Sequence, residues 1–396
     1  MFAGVIRRKR LTLLACVYAG FVFAAFLTDR NIRGLSASVS AARSAGAIPT
    51  DLPTLDRPLA YSELQTSTVP YSYKSSVFES YVLRNLGRLG FVTKPGEYAE
   101  GCVFWRGELP ANDGSAKTGA VTKERLSDYM VQLQKYHSAV AGFRLEMDNR
   151  RHIREDVAFC RKLRLDSVKI GDFFSDGFLS VSDGEFLEPL LPTLRHPKFC
   201  EGRNHLMNMQ YLIHDFEAMC MRLKPSSRLV FFDLGASLSV HSGEQPAIWL
   251  TELYAKFGFE FDHIYAFEKT FSSPDDVFNA VPSELLGAYH WINSGVSAEK
   301  TSKLNPLNIL KNKFNHEDFV VMKIDIDTPE IELSLVQQIL SDQTIIDLID
   351  HFYFEHHVEL EELRGDWGAS VNGTVAESLQ LFHELRLKGL RAHYWP

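Results

Sequence analysis

An alternation that begins after Cys200 constrains the fold more than any other feature of the chain. Residues 228–234 (RLVFFDL), 262–268 (DHIYAFE), 289–293, 319–325 (FVVMKID) and 349–356 read as short buried strands, and 390–394 as a last one. Between them, residues 246–257, 274–281, 329–340 and 375–387 have helical period and helix punctuation. Pro246, Pro274 and Pro329 sit at first helical positions, Ser273 and Thr328 are N-cap candidates, and Gly389 ends the last helix. Strands apolar on both faces need cover on both faces. The pattern therefore predicts an α/β fold with a doubly wound, mostly parallel sheet. Ligands on such sheets sit beyond the carboxyl ends of the strands, near the point where strand order reverses. That rule selects Asp233, Gly235, Glu268, Asn293, Asp325, Asp327, Glu355 and His356, each at or just past a predicted strand end.

The N-terminus constrains location. Residues 1–10 form a basic tail carrying Arg7, Arg8, Lys9 and Arg10, and residues 11–27 (LTLLACVYAGFVFAAFL) carry no charge. As a helix the apolar run spans about 25 Å, enough for a thin bilayer. With the basic flank cytosolic, it reads as the signal anchor of a single-pass type II membrane protein of the secretory pathway, such as a Golgi enzyme. A cleaved signal peptide is the alternative. Residues 28–76, rich in Ser, Ala, Thr and Pro, are expected to form a flexible stem. Residues 77–200 form a mixed α/β or α-rich accessory region with helices at 77–89, 123–136 and 153–163, a loop at 101–119 and turn-rich chain at 168–197. A helix at 206–223 opens the α/β domain, residues 201–396.

A lumenal orientation permits disulfides among Cys102, Cys160, Cys200 and Cys220, with three pairings open. It also suits the sequon Asn372-Gly373-Thr374. The net charge of −8 gives no basic surplus, which argues against a nucleic-acid partner. Arg150, Arg151, Arg154, Arg161, Lys162 and Arg164 read as a solvated helix face, Glu359, Glu361 and Glu362 as a solvated turn, and Trp395 as docking near the terminus.

The segments VFFDLGAS, IYAFE, VVMKIDIDTPEIELSLVQQIL and FYFEHHVE, in that order, resemble the motifs of class I S-adenosylmethionine-dependent methyltransferases, closest to the FkbM-like group. The resemblance covers about residues 206–396. It implies a Rossmann-like methyltransferase fold and S-adenosylmethionine as cofactor. Asp233 and Gly235 would then border the methionine part, Glu268 would hold the ribose, and Ser237 and Asn293 would complete the cofactor set. Asp325 would lie beside the sulfonium and the acceptor, with Asp325 or His356 as base and no metal. The acceptor would be a glycan or another secretory-pathway molecule. Ser237 and Ser239 stand where the family has further glycines, Asp327-Thr328 replaces a Glu-Gly pair, and the chain has room for one final strand after the last helix.

Two other classes fit parts of the pattern. Asp325-Ile326-Asp327 is a D-x-D triplet that could hold a divalent cation for a nucleotide sugar, with His356 as a further ligand, in a Golgi-type glycosyltransferase. The glycine-poor loop also suits a non-catalytic protein that keeps the fold without the cofactor. The plainer readings are that Asp325 pairs with Lys323, and that His356 and His357 are a satisfied strand-end pair.

Overall fold

Ser76 opens the first helix, α1 (Val77–Arg84), by accepting the backbone N–H of Glu79 in the computed structural model. The structure describes residues 73–106, 116–145, 169–174, 178–238 and 246–396, all within the unit Gln65–Pro396. The expected anchor, the stem up to residue 72, the helix at 153–163 and the basic run lie outside the described residues. Among the described residues no helix is long and apolar enough to cross a membrane. The last stem residues belong to the folded body, because Lys74 bridges Val181 and Ser76 caps α1.

The expected loop at 101–119 contains a helix, α2 (Gly101–Arg106). The Glu362 carboxylate accepts the amides of Gly101 and Cys102 at 3.1 and 2.7 Å, satisfying donors that a helix start leaves bare. Glu362 is therefore a cap and not only part of a solvated turn. The next helix, α3 (Ala116–Leu145), is longer than its predicted core. A short helix, α4 (Ile170–Phe173), precedes the hairpin β1 (Ser180–Ser182) and β2 (Glu185–Leu187). Its two-residue turn, Asp183-Gly184, has φ of 48° and 81°, the left-handed pair that matches strand twist. A disulfide joins Cys102 on α2 to Cys200. Cys220 is also disulfide-bonded.

The predicted helix at 206–223 is a correction. Only α5 (Phe216–Arg222) is α-helical there, capped by Asp215. Residues 209–215 instead pass non-helically through the core. Side chains satisfy that backbone: the Tyr129 hydroxyl donates to Tyr211 O, the Tyr136 hydroxyl to His214 O, and Glu188 accepts from Ile213 N.

From here the order is β3 (Leu229–Leu234), α6 (Pro246–Lys256), β4 (His263–Phe267), α7 (Pro274–Ala280), β5 (Tyr289–Ile292) and α8 (Pro306–Lys313). Then come β6 (Phe319–Ile324), α9 (Pro329–Ser341), α10 (Gln343–Ile346), β7 (His351–Phe354), α11 (Arg364–Trp367), α12 (Val375–Leu387) and β8 (Ala392–Tyr394). The six strands β3 to β8 form one sheet in the order β5-β4-β3-β6-β7-β8, and every pairing is parallel. Strand order reverses between β3 and β6. Crossovers between parallel strands are right-handed as a rule, so a reversal at that point puts the connecting helices of the two halves on opposite faces. β3 and β6 are buried at every position.

Thr328 precedes α9 but its side chain does not cap it. The hydroxyl donates to Ile326 O, and Glu332 reaches back to accept the Ile326 amide at 2.8 Å. The accessory segment is bound to the last helix by buried charge: Glu79 on α1 lies 3.3 Å from Arg386 and 3.1 Å from His383, both on α12.

Candidate functional site

The central strands each carry one charged residue, and register places them side by side: Asp233 of β3 is opposite Lys323 of β6. The Lys323 ammonium lies 2.9 Å from Asp233 Oδ1, 2.8 Å from Gly235 O and 3.2 Å from Asp325 Oδ2. Burial works against its charge, but the Asp233 and Asp325 carboxylates outweigh burial and hold its pKa above the usual lysine value. Gly235 has φ of 91°, and a Cβ there would lie 1.5 Å from Asp325 O. This glycine is required where two loops touch. The amides of Gly235 and Ala236 both donate to Phe267 O at 2.9 Å.

The remaining residues of the expected cofactor set follow the neighbouring strand ends. Ser237 is exposed, and residues 239–245 lie outside the described residues. Glu268 stands half-buried just past β4, with Oε1 accepting the Thr270 amide. Asn293, past β5, donates to Glu268 O and Thr270 O at 2.9 and 2.7 Å and accepts from Ser272 N. It fixes the loop that presents Glu268. Asp233, Gly235 and Asn293 are thus engaged within the protein, Ser237 is exposed, and Glu268 is half-buried.

Past β6 and β7 the carboxylates converge. Asp325 Oδ2 accepts the Trp395 indole N–H at 3.0 Å. Burial pushes the Asp325 pKa well above the carboxylate range. Burial acts the same way on Glu355 but is outweighed by His357 and the Arg195 charge, which hold its pKa well below that range. Glu355 Oε1 receives Arg195 Nη2 at 2.6 Å and the Trp367 indole at 2.9 Å. His357 Nε2 faces Glu355 Oε2 at 3.2 Å and Asp327 Oδ1 at 3.7 Å. These three residues offer donor atoms all within 4.8 Å of one another, a set that could hold a metal ion.

His356 is not part of this group. Its ring stacks on Phe354 at 5.2 Å, neither ring nitrogen has a hydrogen-bond partner, and burial lowers its pKa to about 4. The cause is strand alternation: Phe354 and His356 point to one side, Glu355 and His357 to the other. That period was readable in FYFEHH and would have selected His357. Arg195, Trp367 and Ser370 carried no local signal, because they reach the site from distant segments. The two aspartates of the D-x-D triplet also separate: Asp325 turns to Lys323 and Trp395, and Asp327 turns to His357.

A groove of about 1060 Å³ lies elsewhere, lined by Met130, Leu133 and His137 of α3, Trp249 and Leu253 of α6, and His196. No family model, curated protein or solved structure matches the chain.

Proposed function

We propose that the chain is an S-adenosylmethionine-dependent methyltransferase that binds its cofactor beyond the carboxyl ends of β3 and β4. The observation that carries this reading is the sheet order, which reverses between β3 and β6 and sets Glu268 one strand away from the reversal. Such a crevice suits an adenosine-type ligand. Glu268 keeps a carboxylate oxygen beyond its Thr270 contact, so it can accept hydrogen bonds from the ribose hydroxyls. The residues present fit that end of the cofactor, and Asn293 acts as the brace that positions Glu268. When bound, the cofactor supplies an electrophilic methyl group. The protein's part is to hold the acceptor in line and to accept its proton. The ends of β6 and β7 offer the groups for this, with Asp327 exposed at the edge and His357 buried beside it.

The acceptor belongs to the secretory pathway in this proposal, a glycan or another lumenal molecule. The charge-flanked apolar run at residues 11–27, the Cys102–Cys200 disulfide and the exposed Asn372 of the sequon support a type II, Golgi-like setting. The sugar-transfer reading needs Asp325 and Asp327 on one cation, and Asp325 is spent on Lys323 and Trp395. The test is the melting temperature of the full-length chain with S-adenosylmethionine, its homocysteine product, or nucleotide sugars with manganese. A rise with S-adenosylmethionine that Glu268→Ala abolishes is the expected result. A rise only with a nucleotide sugar and manganese would replace the proposal, and no rise with any ligand would favour a non-catalytic fold.

A further inference from the structure

We propose that Asp327, Glu355 and His357 bind a divalent transition-metal ion, zinc or manganese, at the carboxyl ends of β6 and β7. The three donor atoms lie within 4.8 Å of one another, and two of the separations are close to those of a coordination shell. His357 Nε2 lies 3.2 Å from Glu355 Oε2 and 3.7 Å from Asp327 Oδ1. Donors on a tetrahedral ion with bonds of about 2.0–2.1 Å stand roughly 3.3 Å apart.

The second observation concerns the His357 tautomer. Ser370 Oγ donates its one proton to Trp367 O at 2.6 Å, so at 2.7 Å from His357 Nδ1 it must accept. The Nδ1–H is thereby fixed, and in the neutral ring the lone pair falls on Nε2. Nε2 is buried and makes no hydrogen bond, although two carboxylates face it. A bare lone pair beside two carboxylate oxygens is repulsive. A cation between the three atoms turns that repulsion into coordination.

The supporting groups fit the same role. Ser370 orients the imidazole, and Arg195 and Trp367 bind Glu355 Oε1 so that Oε2 is left for the ion. Two carboxylates match the charge of a divalent ion and are compatible with manganese, and the imidazole favours zinc over magnesium or calcium. Three protein ligands leave a coordination position open for an acceptor or phosphate oxygen. Asp327, with 75% of its side chain exposed, places that open side toward solvent.

This site stands independently of the cofactor reading, and its test needs no cofactor or acceptor. Full-length protein is stripped with chelator and titrated with Zn²⁺, Mn²⁺, Mg²⁺ or Ca²⁺, reading bound metal by equilibrium dialysis and stability by melting temperature. The expected result is one Zn²⁺ or Mn²⁺ per chain with a raised melting temperature. Asp327→Asn, at an exposed position, should weaken binding more than about tenfold, and Ser370→Ala by about tenfold. Glu330→Gln, on the adjacent exposed surface, should leave it unchanged. The proposal is overturned if neither Zn²⁺ nor Mn²⁺ binds, if only Mg²⁺ or Ca²⁺ does, or if Asp327→Asn binds as tightly as the unaltered chain.

Discussion

Asp233 and Lys323 meet in the two central strands, each the one charged residue of its strand, with apolar neighbours above and below. Both are buried, so neither can turn to water if its partner is removed. Lys323→Met should therefore cost about 3–5 kcal/mol in urea unfolding, because it strands the Asp233 carboxylate. Adding Asp233→Leu should recover most of that loss, and a double variant as unstable as the single one would refute this account. The position of Asp233 was legible in the sequence, but its role was not. An acidic residue after an apolar run reads as ligand-facing until the register reveals a lysine opposite it. Asp325 shows the converse: pairing with Lys323 was a plain sequence expectation, and the structure has it, together with a hydrogen bond from Trp395 near the end of the chain. Contacts between neighbours in sequence could be read from the chain, whereas those depending on pairing between distant strands could not.

Elements with both a regular apolar period and local punctuation were legible. The last helix matches its predicted range, 375–387, because the Thr374–Glu377 capping box starts it and Gly389, at φ of 97°, ends it. Three elements were misread for physical reasons. The helix α2 begins in a glycine-containing stretch and gets its cap from Glu362, far along the chain. Residues 206–215 have a helical apolar period, but tyrosines of α3 and Glu188 satisfy their backbone in a non-helical path. The helix α8 is short and polar, and only Asn305 and Pro306 announce it. The disulfide belongs at this scale, since it pins α2 to the turn Pro197–Cys200 across 98 residues of sequence. Closing a loop of that length restricts the unfolded chain, so replacing both Cys102 and Cys200 by Ala should cost roughly 2–5 kcal/mol. The melting temperature of the variant against the oxidised parent measures it, and equal values would show that packing alone holds α2 in place.

Stability of the whole molecule should depend on pH through its buried histidines. Burial, reinforced by neighbouring positive or imidazole groups, lowers the pKa of His196 to about 3 and those of His214 and His351 well below the usual value. A depressed histidine pKa gives stability that is fully present above the unfolded value, near 6.5, and is lost as pH falls below it. The unfolded chain then takes up protons that the folded one refuses. Three such groups give a slope of up to about 4 kcal/mol per pH unit in acid. Urea midpoints at pH 7.5 and 5.0 should differ accordingly, and a flat profile would show that these rings protonate inside the fold. The charged pair at the sheet centre also bears on assembly. β3 and β6 are otherwise apolar, so sliding one strand by two residues would keep the same faces buried. Such a slide would set Asp233 against Val321 or Asp325, and Lys323 against Phe231 or Gly235. The ion pair thus acts as an alignment key between segments 90 residues apart, making a misaligned sheet costly.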